Sequence, residues 1–339
     1  MRNRKHIFSA VVTLSSLLFG AVVSALLFTA CTGNSVKSVV HPDFSADSAY
    51  SHIERQVSMG PRVPDTKAHT ECILYLLDRL QAYGAATECQ QGTMTAYDGR
   101  EQYVINIIGH FGALDAKGRV LLGAHYDSRP WCDEEDLYED RFIAVQGAND
   151  GASGVGVLLE VARQLGLAAA DTAAPAPAVD IVFFDCEDMG TPSFYTGTER
   201  EHTWCLGSQL WAREAVKAPD MLKRFQYGIV LDMVGAPDAV FPKEYYSMQA
   251  AGGYVEKIWR NANRLGHGKF FVHSKISPIT DDHYYVNAIA GIPCLDIIHY
   301  NRISGTGFPF WWHTQHDDMS NISRETLQAV GETVMKTIK

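Results

Sequence analysis

The chain has 339 residues, with 29 Lys and Arg against 39 Asp and Glu, for a formal net charge of −10. That acidity argues against DNA or RNA as a partner, because phosphate binding needs a cationic footprint. With 46% hydrophobic and 11% aromatic residues, the composition also excludes a disordered chain and suits a globular one.

Arg2, Arg4 and Lys5 lead into an apolar stretch from about Ile7 to Phe28, which ends in Leu27-Phe28-Thr29-Ala30-Cys31. Small residues before a cysteine predict a lipoprotein-type signal peptide over 1–30 and a lipid anchor at Cys31. A plain N-terminal membrane anchor is the alternative, since the stretch is nearly long enough to span a bilayer. Either way the body is expected to be exported, periplasmic and membrane-attached. Without residues 1–30 the charge falls to −13, since the segment carries three positive residues and no acids. The polar residues 31–48 read as a tether to a single α/β domain over 49–339.

A helix is predicted over about 68–82, with Gly84 as its stop. Strands follow at 103–110 and 120–125. A helix over 151–165 opens with small residues, and Asn149-Asp150 stand in the position of a cap. The Ala/Pro-rich stretch 168–178 reads as a surface loop. Strands at 179–184, 227–234 and 294–298 alternate with helices near 206–216 and 252–265, and a last helix begins after Ser323. This alternation implies an α/β sandwich around a mostly parallel sheet. Seven cysteines occur with no C-x-x-C pair, which removes a zinc knuckle or a thioredoxin-type motif.

Ligands and catalytic groups in such sheets gather beyond the carboxyl ends of the strands. There the sequence places His125-Tyr126-Asp127-Ser128, Asn149-Asp150-Gly151-Ala152-Ser153-Gly154, Glu187-Asp188 after Val179–Phe184, and Asp232 after Gly228–Leu231. Trp312-His313-Thr314 lies in a late loop. Each cluster alone has a structural explanation: Asp150 as a cap, His125 bonded in the core, Asp232 on loop amides. Together, several carboxylates and two histidines at one sheet edge would repel one another without a cation. Oxygen and imidazole donors suit zinc.

These five ordered motifs resemble the zinc-dependent aminopeptidase superfamily over about 120–315. The resemblance implies a three-layer α/β sandwich around a central, mostly parallel mixed β-sheet. Finer residues resemble the animal-type and bacterial glutaminyl cyclases of that superfamily: Asp281-Asp282-His283, Gly235-Ala236-Pro237, Phe241-Pro242, and Trp312-His313-Thr314 followed by Asp317-Asp318. That likeness implies conversion of N-terminal glutamine to pyroglutamate with release of ammonia, using one zinc per chain, on peptides or exported proteins. Asp150, Asp188 and His313 would hold the zinc, and Glu187 would carry the proton. Asp281 and Asp232 would form an acidic network beside it, with Asp282 in support. Trp312 would line the substrate pocket. A further pocket aromatic is expected within 189–206, with Phe194 put forward and Tyr195 and Trp204 as alternatives. One departure is Glu187-Asp188, where the animal enzymes carry Glu-Glu.

Two other readings stay open. A di-zinc aminopeptidase would use His125 as a ligand to a second ion. A catalytically silent binding module would usually lose the ligands or the glutamate, all of which this chain retains.

Overall fold

The computed structural model describes residues 42–170, 177–198 and 200–339. The export segment, Cys31 and most of the tether lie outside the described residues, as does the middle of the Ala/Pro-rich stretch. Among the described residues there are eight strands: β1 (Ala86–Thr95), β2 (Glu101–Phe111), β3 (Arg119–His125), β4 (Val179–Phe184), β5 (Phe225–Asp232), β6 (Phe241–Lys243), β7 (Phe271–Lys275) and β8 (Cys294–Ile298). Six of them form one sheet in the order β1-β2-β4-β3-β5-β8, and β6 and β7 form a separate pair. The β1–β2 and β2–β4 pairings are antiparallel, whereas β4–β3, β3–β5 and β5–β8 are parallel.

The helices are α1 (Ala46–Val57), α2 (Lys67–Ala82), α3 (Ala152–Ala170), α4 (Leu206–Ala215), the single turn α5 (Pro219–Leu222), α6 (Tyr245–Arg264), the single turn α7 (Asp282–Tyr285) and α8 (Arg324–Ile338). Strands β3 and β4 are buried along their whole length, as expected of parallel strands covered on both faces. Their side chains alternate between two cores. Leu122, Ala124, Ile181, Phe183, Ile229, Leu231 and Leu295 meet α1, α2, α3, α6 and α8 on one face. Leu121, Val182, Phe184, Val230 and Cys294 meet Trp211 and Ala212 of α4, with Val286 and Ile292, on the other. The result is helix, sheet, helix: the three layers that the resemblance implied. Each fully buried Leu, Ile, Val or Phe adds about 1.5–3 kcal/mol.

Register levels the carboxyl ends. His125 pairs with Phe184 and Asp232 with Ile298, so the chain leaves β3, β4, β5 and β8 along one edge. Gly154 lets α3 sit close behind that edge, because a Cβ there would come within 2.2 Å of the Leu231 carbonyl oxygen. Gly151 has φ +84°, and its absent side chain leaves room for Asp127 and His125.

Several expectations need correction. The tether ends earlier than residue 48: Ser45 caps α1 by accepting from Ser48 N, and Phe44 is buried in the core. Asn149 does not cap α3; its side-chain oxygen accepts from Gly235 N and ties α3 to the β5 end. Helix α6 starts at Tyr245 and runs through Gly252-Gly253, absorbing a kink at Ala251 (φ −131°, ψ 23°). Strand β1 and helix α1 are elements that the apolar pattern did not reveal. All six cysteines among the described residues are free. Among those residues no helix is long and apolar enough to cross a membrane.

Candidate active site

A cavity of about 1070 Å³ opens over the carboxyl edge of the sheet. Asp150, Glu187, Asp188, Asp232, Asp281, Trp312 and His313 all line it. Seven of the nine residues singled out from the sequence are thus brought together. Asp282 and Phe194 are the exceptions. Asp282 is fully buried and lies outside the cavity wall, because it opens α7 behind Asp281. Phe194 packs instead on Phe142 and Trp131, with ring centroids 4.8 Å and 6.2 Å away. From that segment it is Trp204 that lines the cavity, and it stacks on His313 with an interplanar angle of 8°. Tyr195 packs on Tyr97 and does not line the cavity.

The backbone at the β4 end and at the entry to α3 is held by buried carboxylates, among them Asp185, which binds amides at the strand end as its place in the sequence suggests. Asp127 accepts from Glu187 N at 3.1 Å and from Asp188 N at 3.2 Å, one bond to each oxygen. Asp317 does the same for Asn149 N and Asp150 N, at 2.7 Å and 3.0 Å. Asp185 accepts from Ile105 N and Cys186 N and meets His69 Nε2 at 2.8 Å. The buried Arg62 donates to the carbonyls of Tyr126, Gln146 and Gly147, pinning the loop that precedes Asp150.

Asp150, Asp188 and His313 each bring one donor atom to a common point, the three lying within 4.8 Å of one another. His313 Nε2 is 3.1 Å from Asp188 Oδ1 and 3.5 Å from Asp150 Oδ2. Its other ring nitrogen, Nδ1, faces Asp133 Oδ1 at 3.4 Å. Asp133 is in turn gripped by Arg129 through Nε and Nη2 at 2.6 Å and 2.7 Å. A carboxylate behind a histidine is the usual support for a metal ligand, since it fixes the tautomer and the ring. Arg129 and Asp133 carried no family motif and were not read from the sequence. The shorter Asp188 still reaches the common point. A second set, His125, Asp150 and Asp232, lies beside the first, with His125 Nε2 3.0 Å from Asp150 Oδ1 and 3.3 Å from Asp232 Oδ1.

The electrostatics suit a cation. Burial, despite the opposing His125, and the charges of Asp188, Asp281 and Asp282 push Glu187 well above the usual carboxylate range. Burial also raises Asp232 to about 7, with Asp150 and Asp281 adding to it. Burial works against charge on Asp188 too, but His313 and Arg129 outweigh it and hold that carboxyl low. Two carboxylates and one imidazole around one point, in a pocket this acidic, fit a divalent ion of zinc type.

The sequence pattern that defines peptidase family M28 matches residues 106–338. A Zn-dependent exopeptidase from Parabacteroides distasonis shares 47% identity and superimposes with a TM-score of 0.83, covering 88% of this chain and 99% of its own. Tannerella forsythia glutaminyl cyclase also shares 47% identity, with a TM-score of 0.81 over 88% of this chain and 99% of its own. Among curated proteins, the glutaminyl-peptide cyclotransferase of Bothrops jararaca is 27% identical over 289 residues, 79% of this chain and 73% of that protein.

Proposed function

The chain belongs to peptidase family M28, and from that premise we propose that it is a glutaminyl-peptide cyclotransferase. Its reaction closes N-terminal glutamine to pyroglutamate and releases ammonia. The observation that carries this reading is Asp281 beside Glu187 in the cavity wall, where carboxylate oxygens of the two and Cys205 Sγ lie within 4.8 Å of one another. The relatives named as glutaminyl cyclases support it.

The reaction needs no water, because the α-amine is tethered to the carbonyl it attacks. The amine nitrogen bonds to the side-chain Cδ, the Cδ–Nε2 bond breaks, and one amine proton ends on the departing nitrogen. Asp150, Asp188 and His313 would hold a single zinc, which supplies Lewis-acid polarisation of the γ-carbonyl when bound. Glu187 takes the amine proton and returns it to the leaving nitrogen, a transfer typically contributing on the order of 10²–10⁴-fold. Asp281 holds the leaving nitrogen and Asp232 orients the γ-amide. Trp312 and Trp204 wall the cavity and keep water from competing with the amine. The substrates are peptides or exported proteins that begin with glutamine, met outside the cytoplasm by a chain anchored through lipid on Cys31.

The second ligand set, His125, Asp150 and Asp232, favours a competing reading as a di-zinc aminopeptidase. Pure protein offered fluorogenic Gln-peptide and Leu-peptide substrates separates the two. Ammonia from the first with no cleavage of the second is the expected result, and release of leucine overturns the cyclase reading.

A further inference from the structure

The Glu187 carboxyl receives one side-chain hydrogen bond among the described residues, and its donor is a thiol. Cys205 Sγ lies 3.1 Å from Glu187 Oε1. Cys205 is fully buried and outside the cavity wall, so it meets the glutamate from the protein side. The backbone fixes the approach: Cys205 N donates to the Glu187 carbonyl at 2.9 Å and Leu206 N to the Cys186 carbonyl at 3.1 Å. These two bonds tie the start of α4 to the end of β4. Cys205 itself takes a left-handed φ of +56°, a conformation that side chains rarely adopt and that the tie maintains.

Burial and the nearby acids Glu187, Asp282 and Asp281 push the Cys205 thiol well above its ordinary range. It therefore stays S–H, a donor with neither the nucleophilicity nor the metal affinity of a thiolate. A thiol is also a weak donor. An arginine or an amide at this point would bond the carboxylate strongly and make it a poorer base. A thiol orients the oxygen and leaves the basicity largely intact.

We propose that Cys205 is a positioning residue for proton transfer, its S–H fixing Glu187 Oε1 so that the carboxyl faces the cavity and stays off the Asp150, Asp188 and His313 donors. This rests on the cyclase reading. Wild-type protein is therefore assayed first on a Gln-peptide, and absence of ammonia release overturns that reading and this proposal with it. Given activity, Cys205→Ser keeps a donor and should hold kcat within about 3-fold, whereas Cys205→Ala should lower kcat about 10-fold or more with KM and zinc content unchanged. On a Glu187→Gln background Cys205→Ala should cost nothing further, because no carboxylate remains to be oriented. If the alanine variant does not fold, Cys205→Gly, at ease with a positive φ, takes its place. An unchanged kcat in the donor-less variant, equal losses in Ser and Ala, or a full additional loss on the Glu187→Gln background each overturn the proposal.

Discussion

Replacing Asp133 with Asn tests whether the support behind His313 sets the metal affinity of the site. Asp133 and Arg129 are 3% and 1% exposed, so their fork of two bonds lies in a low-dielectric interior. Asp133 also accepts from Ser193 N at 2.8 Å and faces His313 Nδ1 at 3.4 Å. Burial opposes its charge, but Arg129 and His313 outweigh burial and hold the carboxyl well below the usual range. In the variant one oxygen becomes an NH₂ that cannot accept from the guanidinium, and the buried arginine loses the nearer of its two carboxylates. Breaking a buried pair from one side costs about 3–5 kcal/mol. Arg129 keeps a bond to the Asp188 carbonyl and has Asp188 Oδ1 at 3.7 Å, which places the loss near the lower figure. A loss of about 3 kcal/mol lowers Tm by on the order of 5 °C in a domain this large. The neutral amide no longer fixes the His313 tautomer or raises its basicity, and such support is typically worth about 10–100-fold in metal affinity. Calorimetry of the metal-free protein reads the first effect, and competition for zinc with a chromophoric chelator reads the second. A variant with lowered Tm and unchanged zinc affinity would refute the reasoning, since Asp133 would then serve the fold and not the ligand.

Glu187→Gln should reduce cyclisation of a Gln-peptide by about 100-fold or more while leaving bound zinc unchanged; near wild-type turnover would remove Glu187 from the proton path. Exhaustive chelation should abolish activity, and titration with zinc should restore it fully at one equivalent; a requirement for two equivalents would place a second ion on His125, Asp150 and Asp232. At His52, away from the site, burial lowers the pKa from 6.5 to about 4 despite Glu160, so the unfolded chain takes up a proton over that interval that the folded chain refuses. Stability complete above pH 6.5 should thus fall by about 3 kcal/mol on acidification to pH 4. His52→Gln should flatten that slope in Tm, and parallel pH profiles for the two proteins would count against it.

The sequence announces the parts of this site that lie where strands end. Asp150, Glu187, Asp188 and Asp232 follow apolar runs or open a glycine-rich helix, and position along the chain was enough to bring them to one edge. What escaped is contact between segments far apart in sequence. Arg129 and Asp133 sit in an irregular stretch after β3 with no periodicity to mark them, and their purpose exists only once His313 has folded against them. Phe194 and Trp204 were equivalent by composition, because the direction of a side chain in a long loop has no local signature; Trp204 faces the cavity since the turn that follows it is tied to β4. Strand β1 reads Ala-Thr-Glu-Cys-Gln-Gln-Gly-Thr-Met-Thr, an edge strand with little buried surface, so it lacks the apolar alternation that betrays its neighbours.

In the proposed assignment, Glu187 and Asp188 divide two kinds of chemistry within one short stretch. Their amides share a single clamp, Asp127, which fixes both backbones with one carboxylate. The side chains then part. Asp188 meets His313 at 3.1 Å and Arg129 at 3.7 Å, partners that favour the permanent negative charge its proposed role as a ligand needs. Glu187 is buried beside a thiol and near the Asp281 carboxyl, and burial with the surrounding acids outweighs the opposing His125 and makes a proton welcome. Adjacent residues driven in opposite directions by their surroundings are what a division into ligand and proton carrier requires. Exchanging the two acids would therefore not be neutral even though charge and composition are conserved, because the surroundings and not the residue type assign the work.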